Sequence, residues 1–576
     1  MSKVWVIGLD GGTYEVIDYL VGRGELPHFK EFLDLGSRAT LMSTIPPITP
    51  AAWSSFFTGL NPGKHGVFDF FRRETGTYRL KPVCGADVNG YPLWRQASDL
   101  GKRTCVYNVP MTYPASRVEG VMISGMDAPG LSLGAFFPAD FKRQILAKFP
   151  DFAIESSVNP NYLIEHFSDP VGEFINNLNR QMELQLNVIQ FLSELEDWDL
   201  FFSVIRSPDA FQHAFWQPAA KTMSGADLEE SEARNGRAVF DCYKKIDKEL
   251  GKWMEGMDHG RNLILMSDHG FGSLQKEVCI NRILAEAGLL AFRKKSPRRE
   301  VREAVTSYIS RRLPAEARVR MRHFIRHTLK VRSTFSGSMV ADIDWERTLV
   351  YSVGQFGCLF TNLKGREPNG LVAGEKERRA ILDQAEAALS ATADPEDDGL
   401  VFTDFCQREE LFTGPFISRV PDMIAVMRNY AYRGVYSTSA ELDGEALIRK
   451  PALDWGPLIT SGTHRAEGIL AMAGPDIRKG DLRKANILDL APTICSLLGL
   501  PGQSGYDGTI LADALVNNPG KITPRLRHSS GQASTGGGMY TPPRKRKRSV
   551  QGCKTWVTFS PAFSTFLASV LPFVLN

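Results

Sequence analysis

Apolar positions along the chain gather in short, nearly continuous runs, and many of these runs stop at a polar or glycine-rich turn. Lys3–Leu9 stops before Asp10, Leu200–Ile205 stops shortly before Asp209, and Asn262–Met266 stops before Asp268. Thr104–Val109, Gly120–Ile123 and Gly468–Met472 have the same character. Runs this short and this uniformly apolar predict strands buried on both faces of a parallel sheet. Between them the period changes to that of a helix. Within Leu228–Met257, the residues Val239, Tyr243, Ile246, Leu250 and Trp253 fall on one helical face. Pro492–Leu500 predicts a further helix, followed by Pro501. Alternating strands and helices predict an α/β fold, a doubly wound and mostly parallel sheet with helices on both faces. Ligands of such sheets sit beyond the carboxyl ends of the strands, and the acidic residues just named fall there.

Two stretches break the alternation. Residues from about 128 to 195 read as loop and helix, rich in Phe, Asn and Pro, inserted in a first part of the core spanning 1–291. Residues 292–450 start with a basic helical segment (Arg293 to Arg332) and continue through strand-like pieces at Thr348–Val353 and Met423–Met427. This stretch reads as an inserted α+β cap or lid where substrate selection resides, and 451–516 closes the core. No internal repeat is evident. The tail, 517–576, differs in kind: a basic run at Arg544–Arg548 precedes Trp556–Leu575, which carries no charge. It reads as a disordered or atypical end. A membrane anchor at 556–575 with a polybasic flank and a nuclear or nucleic-acid patch are the alternatives.

Composition changes this picture in one respect. The net charge of +3 conceals an uneven split, because residues from 519 onward hold nine Lys or Arg and no acid. The 518 residues before them hold 59 basic and 65 acidic side chains, a net of −6. An acidic body gives no support for a nucleic-acid partner. The eight cysteines are scattered without a CxxC pair, several inside apolar runs, and read as buried free thiols. The first strand begins almost at Met1 with no signal peptide before it, so the expected compartment is cytoplasmic.

Five segments carry candidate chemistry. In Gly8-Leu9-Asp10-Gly11-Gly12 the Asp10 carboxylate is either presented at the sheet edge or caps the next helix. In Ile48-Thr49-Pro50-Ala51, Thr49 stands where an N-cap would, with Pro50 as first helical residue. Its hydroxyl is then a plain cap, or a nucleophile at the positive end of a helix, where an anionic phosphate is favoured. Asp209 and His213 in Ser207-Pro208-Asp209-Ala210-Phe211-Gln212-His213 are spaced to face one way on a helical turn. Asp268 and His269, before Gly270, can both ligate an ion if the backbone turns there. His464 lies in Gly462-Thr463-His464-Arg465, just before another core strand. Each histidine alone reads more often as a structural residue than as a ligand. Together, three Asp and three His supply six ligands, enough for two divalent ions with positions left for substrate and nucleophile.

These segments resemble the alkaline phosphatase superfamily, in particular its type I phosphodiesterase/nucleotide pyrophosphatase branch. The resemblance covers roughly residues 1–510 and rests on GLDGG at 8–12, TPAAWSSFFTGLNPGKHG at 49–66, SPDAFQH at 207–213, SDHG at 267–270 and GTH at 462–464, in the family's order. Thr49 lies nine residues before Thr58-Gly59-Leu60, as in the family. The resemblance implies one metal held by Asp209, His213 and His464. It implies a second held by Asp10, Asp268 and His269, with Thr49 bound to it as nucleophile. It makes zinc the expected ion, with manganese as the alternative, and treats His65 as structural. Asn108 to Pro114 also looks like a stretch of bacterial members. One departure is plain: the eukaryotic-type members place an Asn shortly after the HG that ends the nucleophile stretch, whereas Val67-Phe68-Asp69-Phe70 follows His65-Gly66 here. The CxPxR or SxPxR stretch of sulfatases is missing, which argues against that activity.

The expected function is metal-dependent hydrolysis of a small phosphate ester through a phosphothreonine intermediate on Thr49. Arg465, beside His464, is expected either to meet a substrate charge or to form a surface ion pair. The rival within the fold is a phosphomutase like the cofactor-independent phosphoglycerate mutases, and the rival outside it is a catalytically silent binding scaffold. Substrate and oligomeric state are not legible.

Overall fold

Lys3–Leu9 shows why the core is double-sided. Trp5, Ile7 and Leu9 enter one apolar cluster, while Val4 and Val6 enter another on the opposite face. Side chains alternate along a strand, so a run apolar at every position needs cover on both sides. The same split holds for Leu263 and Leu265 against Ile264 and Met266. The computed structural model describes residues 2–154, 162, 163, 166–293, 340–435, 438, 442, 446–451, 460–482, 484–502 and 505–517.

The strands assemble into a ten-stranded sheet. Lys3–Leu9 lies near its middle, parallel to Leu200–Ile205 on one side and to Arg261–Met266 on the other. Thr104–Val109 and Gly120–Ser124 continue in parallel beyond Leu200–Ile205, and the short antiparallel Phe136–Phe137 closes that edge. Beyond Arg261–Met266 comes the antiparallel Glu467–Ala473, then Ser37–Met42. Helices Tyr14–Gly22, Pro170–Leu195, Ser207–Met223 and Glu230–Met254 cover one face. Thr49–Thr58, Leu93–Asp99 and Leu490–Leu497 cover the other. This is the doubly wound, mostly parallel α/β fold expected. All five residues of the expected helical face in Glu230–Met254, Val239 through Trp253, are buried. The helix expected at Pro492–Leu500 starts earlier, at Leu490, because proline is accepted in a first turn.

Residues 340–435 add a second apolar core. The strands Val350–Val353, Cys358–Thr361, Met423–Met427 and Phe402–Gln407 form one sheet in that order. Helix Gly374–Ser390 packs Ile381, Leu382, Ala385 and Leu389 into the same cluster. Two smaller sheets matter for the site. Gly270–Ser273 pairs with Gly462–Arg465. Lys276–Val278 lies between Tyr432–Gly434 and Ile448–Arg449.

The seven described cysteines are free; Cys84 and Cys406 are partly exposed rather than buried as expected, and Cys553 lies outside the described residues. So do most of the basic segment Arg293 to Arg332, the run Arg544–Arg548 and the uncharged stretch 556–575. Among the described residues no helix is long and apolar enough to cross a membrane.

Candidate active site

One edge of the large sheet collects all seven candidate residues. Asp10, Asp209 and Asp268 follow the parallel strands ending at Leu9, Ile205 and Met266. Ser37–Met42 runs in the same sense, being antiparallel to Glu467–Ala473, which is itself antiparallel to Arg261–Met266. Thr49 after it therefore reaches the same edge. Because Glu467–Ala473 runs the other way, it is the residues before it, including His464, that lie there.

Local chemistry sets each side chain. Asp10 donates its backbone N–H to Ile205 O at 3.0 Å. It does not cap the next helix: Thr13 does, accepting from the Glu15 N–H. Gly11 has φ of 67°, and its N–H donates to Asp268 Oδ1 at 3.2 Å. A Cβ at Gly11 would meet the Phe271 ring at 2.9 Å. Gly270 is needed for close approach rather than for an unusual φ, since a Cβ there would lie 2.0 Å from the Glu467 carbonyl oxygen. Thr49 is not the N-cap that its sequence suggests. Ile48 occupies that position, and Thr49 and Pro50 are the first two helical residues. The Thr49 hydroxyl is thereby released from capping and lies 3.3 Å from His269 Nε2.

The three histidines are oriented alike. Nδ1 of His213 donates to Gly462 O at 3.0 Å, Nδ1 of His269 to Gly270 O at 3.0 Å, and Nδ1 of His464 to Pro47 O at 2.8 Å. A carbonyl can only accept, so each neutral ring has a bare Nε2, and all three point inward. His213 Nε2 and His464 Nε2 lie 3.1 Å apart, and each lies 3.4 Å from Asp209 Oδ1. His269 Nε2 lies 3.4 Å from Asp268 Oδ2 and 3.6 Å from Asp10 Oδ1. The rings of His269 and His464 stack with centroids 3.6 Å apart, which joins the two groups. Donor atoms of Asp10, Asp268 and His269 all lie within 4.8 Å of one another, as do those of Asp209, His269 and His464. His269 thus reaches both groups.

The donor set fits metal ions. Two bare ring nitrogens at 3.1 Å repel unless a cation or a proton sits between them. Asp10 Oδ1, Asp209 Oδ1 and Asp268 Oδ2 are buried and accept no hydrogen bond, a costly state that a cation relieves. Histidines fixed through Nδ1 by carbonyls are how proteins present Nε2 to a metal, and mixed imidazole and carboxylate donors suit zinc or manganese. Burial pushes Asp268 up to about 8, with the Asp209 charge adding to it. Burial raises Asp10 well above the usual carboxylate range too, reinforced by Asp268 and Asp209. Burial also acts to raise Asp209, but His213 and His464 reverse this and hold it well below that range.

Beside the cluster opens a cavity of about 130 Å³, lined by Thr49, Asp209, His213 and His464. Its walls contain Asp69, from the stretch that departs from the family after His65-Gly66, and three residues the sequence did not single out, Arg206, Gln355 and Arg433. Arg206 Nε lies 3.7 Å from Asp10 Oδ2, and burial pushes Asp69 up to about 7. Adjacency to Ser207-Pro208-Asp209 is the one local signal for Arg206; Gln355 and Arg433 have none. Arg465 meets neither of its expectations. It faces away from the cluster and donates to the carbonyls of Tyr430, His464 and Ser273 at 2.7–2.9 Å. His65 is structural: Nδ1 accepts from the Val67 N–H at 3.2 Å and Nε2 donates to Ser55 Oγ at 2.9 Å.

A buried relay ties the Asp10 turn to the helix carrying Asp209. Gln212 Nε2 donates to Gly11 O at 2.8 Å, Tyr243 OH donates to Gln212 Oε1 at 3.1 Å, and the Thr13 N–H donates to Tyr243 OH at 3.1 Å. Gln212→Leu keeps the bulk and removes the tie. Its zinc affinity, titrated against a competing chelator, is expected to fall roughly tenfold; an unchanged affinity would show that the Asp10 turn needs no such support.

Residues 4–341 match the family described as type I phosphodiesterase/nucleotide pyrophosphatase. No curated protein matches the chain. Among solved structures, murine ectonucleotide pyrophosphatase/phosphodiesterase 5 is 15% identical, with a TM-score of 0.45 over 89% of this chain and 100% of that one. An inactive variant of the murine protein in complex with AMP gives 15% and 0.46 over the same shares. The human counterpart gives 14% and 0.44, again over 89% and 100%.

Proposed function

The chain belongs to the type I phosphodiesterase/nucleotide pyrophosphatase family, and on that premise we propose that it is a two-metal phosphoric ester hydrolase with Thr49 as nucleophile. One observation carries this reading. Three histidines with bare Nε2 atoms face three carboxylates with unbonded oxygens, and the Thr49 hydroxyl lies among them. Asp209, His213 and His464 would hold one divalent ion and Asp10, Asp268 and His269 the other, zinc being the expected metal. Bound ions there would acidify the Thr49 hydroxyl and neutralise charge on the phosphoryl oxygens.

The protein's own groups then do the following. Thr49 sits in the first turn of Thr49–Thr58, whose positive end favours an anion beside the hydroxyl. Its Oγ1 gives up its proton to solvent and bonds to phosphorus while the bond to the leaving oxygen breaks; the leaving group departs as the alkoxide and takes a proton from water, and Thr49 is left as phosphothreonine. Water then attacks that phosphorus and breaks its bond to Oγ1, restoring the hydroxyl and releasing phosphate from a monoester substrate or a phosphate monoester from a diester. The cavity wall holds Gly354, Gln355, Phe356 and Arg433. We therefore assign substrate selection to the 292–450 cap and catalysis to 1–291 with 451–516.

The test is release of p-nitrophenol from p-nitrophenyl phosphate and from bis-p-nitrophenyl phosphate by the purified full chain with zinc or manganese. Metal-dependent release from either ester is the expected result, and the preferred ester separates monoesterase from diesterase. Two metals bound without release from either would favour the phosphomutase. A protein that binds no metal would sink the assignment.

A further inference from the structure

The hairpin joining Val350–Val353 to Cys358–Thr361 meets the cavity with its tip. Val353 pairs with Cys358, so the turn is Gly354-Gln355-Phe356-Gly357. Its two glycines have φ of 81° and 69°, left-handed values that a tight turn needs and glycine supplies. Two backbone bonds clamp this turn: the Gly434 N–H donates to Gln355 O at 2.7 Å, and the Ala425 N–H donates to Gly357 O at 3.0 Å. Phe356 is buried. Its ring centroid lies 5.6 Å from that of His464 and 6.1 Å from that of Tyr430. The turn is thereby fixed against the ligand cluster, and Gln355 is fixed with it.

Gln355 lines the cavity, and among the described residues no hydrogen bond takes up its carboxamide. Asp69 lines the same cavity and lies against the same turn. A Cβ at Gly354 would come within 2.8 Å of Asp69 Oδ2, so glycine there keeps that oxygen uncovered. The other oxygen, Oδ1, accepts from the Phe70 N–H at 2.5 Å, which holds the carboxyl in place. Burial pushes Asp69 up to about 7, so near neutral pH it offers a donor as well as an acceptor and does not confront the phosphoryl group with a full charge. The two arginines of the wall have carboxylates of their own. Glu277 Oε1 accepts from Arg433 Nε at 3.2 Å and from Nη2 at 2.7 Å, and Arg206 Nε lies 3.7 Å from Asp10 Oδ2. Two guanidinium groups in the wall make the cavity a poor place for an ammonium group.

The Thr49 reading places the phosphoryl group against the ligand cluster, so the alcohol of the ester faces the rest of the wall. There a neutral amide and a carboxyl stand together, and hydroxyls, which both donate and accept, match them. The cavity of about 130 Å³ is well below the roughly 300–1,000 Å³ of pockets for drug-sized ligands, so the alcohol is short. We infer that Gln355 and Asp69 bind hydroxyl groups on the leaving alcohol, so that the substrate is the phosphate ester of a small polyol. This inference rests on the hydrolase reading for the place of the phosphoryl group.

The test is binding, which needs no turnover. Calorimetry on the metal-loaded full chain uses three non-hydrolysable probes of one chain length: 3,4-dihydroxybutylphosphonate, n-butylphosphonate and 4-aminobutylphosphonate. Wild type should bind the diol about 10-fold more tightly than n-butylphosphonate, the span of one or two neutral hydrogen bonds, and the amine no more tightly than n-butylphosphonate. Gln355→Leu and Asp69→Ala should each cut the diol preference to about 3-fold or less. Equal affinity of wild type for the diol and n-butylphosphonate, or no binding of any probe, overturns the inference. So does a preference for the amine over the diol, or a diol preference that survives undiminished in either variant. The wild-type comparison stands by itself if a variant fails to fold. The p-nitrophenyl phosphate assay reads the hydrolase assignment separately, so release of p-nitrophenol with equal probe affinities would remove this inference alone.

Discussion

Thr49→Ala is expected to lower kcat for any phosphate ester the protein hydrolyses by roughly three orders of magnitude or more, with metal content and melting temperature almost unchanged. The first half follows from the role proposed for Oγ1, since removing the nucleophile of a covalent mechanism leaves only the contribution of binding and electrostatics. The second half follows from the local structure. Thr49 caps nothing, because Ile48 is the N-cap and makes no side-chain cap bond. The hydroxyl faces His269 Nε2 at 3.3 Å, and alanine is the better helix former. The stability change should therefore stay within about 1 kcal/mol. Thr49→Ser keeps the hydroxyl and should keep measurable turnover. Mass spectrometry of wild type quenched in acid during turnover should find phosphate on the peptide containing Thr49 and none on that peptide in the alanine variant. If Thr49→Ala hydrolyses p-nitrophenyl phosphate at a rate near that of wild type, the nucleophile has been misassigned and the donor set would have to act directly on water.

The parts of this site legible in the sequence are those that a single strand end announces. Asp10 and Asp268 each follow an apolar run directly, and Asp209 follows one within a turn. The spacing of Asp209 and His213 needed nothing more than one helical period. The parts that were not legible depend on register between distant segments. Glu277 and Arg433 are 156 residues apart, and no local pattern predicts that a three-residue strand at 276–278 will pair with one at 432–434. Gln212 and Tyr243 look like ordinary helix residues until the packing of their helices brings one against the other. Arg465 shows the converse error. Adjacency to His464 suggested a shared task, but neighbours on a strand point to opposite sides, so one side chain enters the site and the other binds carbonyls behind it. Thr49 was displaced by one position because an Ile-Thr-Pro sequence accommodates a cap at either residue; the structure places the cap on Ile48.

Stripping the ions with a chelator is expected to lower the melting temperature by several degrees, and the gap between loaded and stripped protein should widen from pH 7 to 8.5. In the metal-free site Asp268 is raised to about 8 and Asp10 is raised as well, both by burial first and then by neighbouring carboxylates. A carboxyl whose folded value lies above its unfolded value of about 3.9 gives its full stabilisation below that value and loses it as the pH rises through the folded one. Asp268 therefore works against the stripped fold up to about pH 8, at as much as about 1.4 kcal/mol per pH unit for one proton. His213, raised because Asp209 outweighs its burial, acts in the same sense. His269 and His464, lowered chiefly by burial, act in the opposite sense, but their effect fades above the unfolded histidine value of about 6.5. Asp209, held low, is ionised throughout this window. With ions bound, the carboxylates stay ionised and proton loss strengthens binding; each ion at about 100 times its Kd adds roughly 2.7 kcal/mol. Thermal melts with zinc and with chelator at pH 7.0, 7.75 and 8.5 decide the matter. Coincident melts at all three values would mean that the three carboxylates and three histidines hold no ion, and the proposed chemistry would have no place to occur.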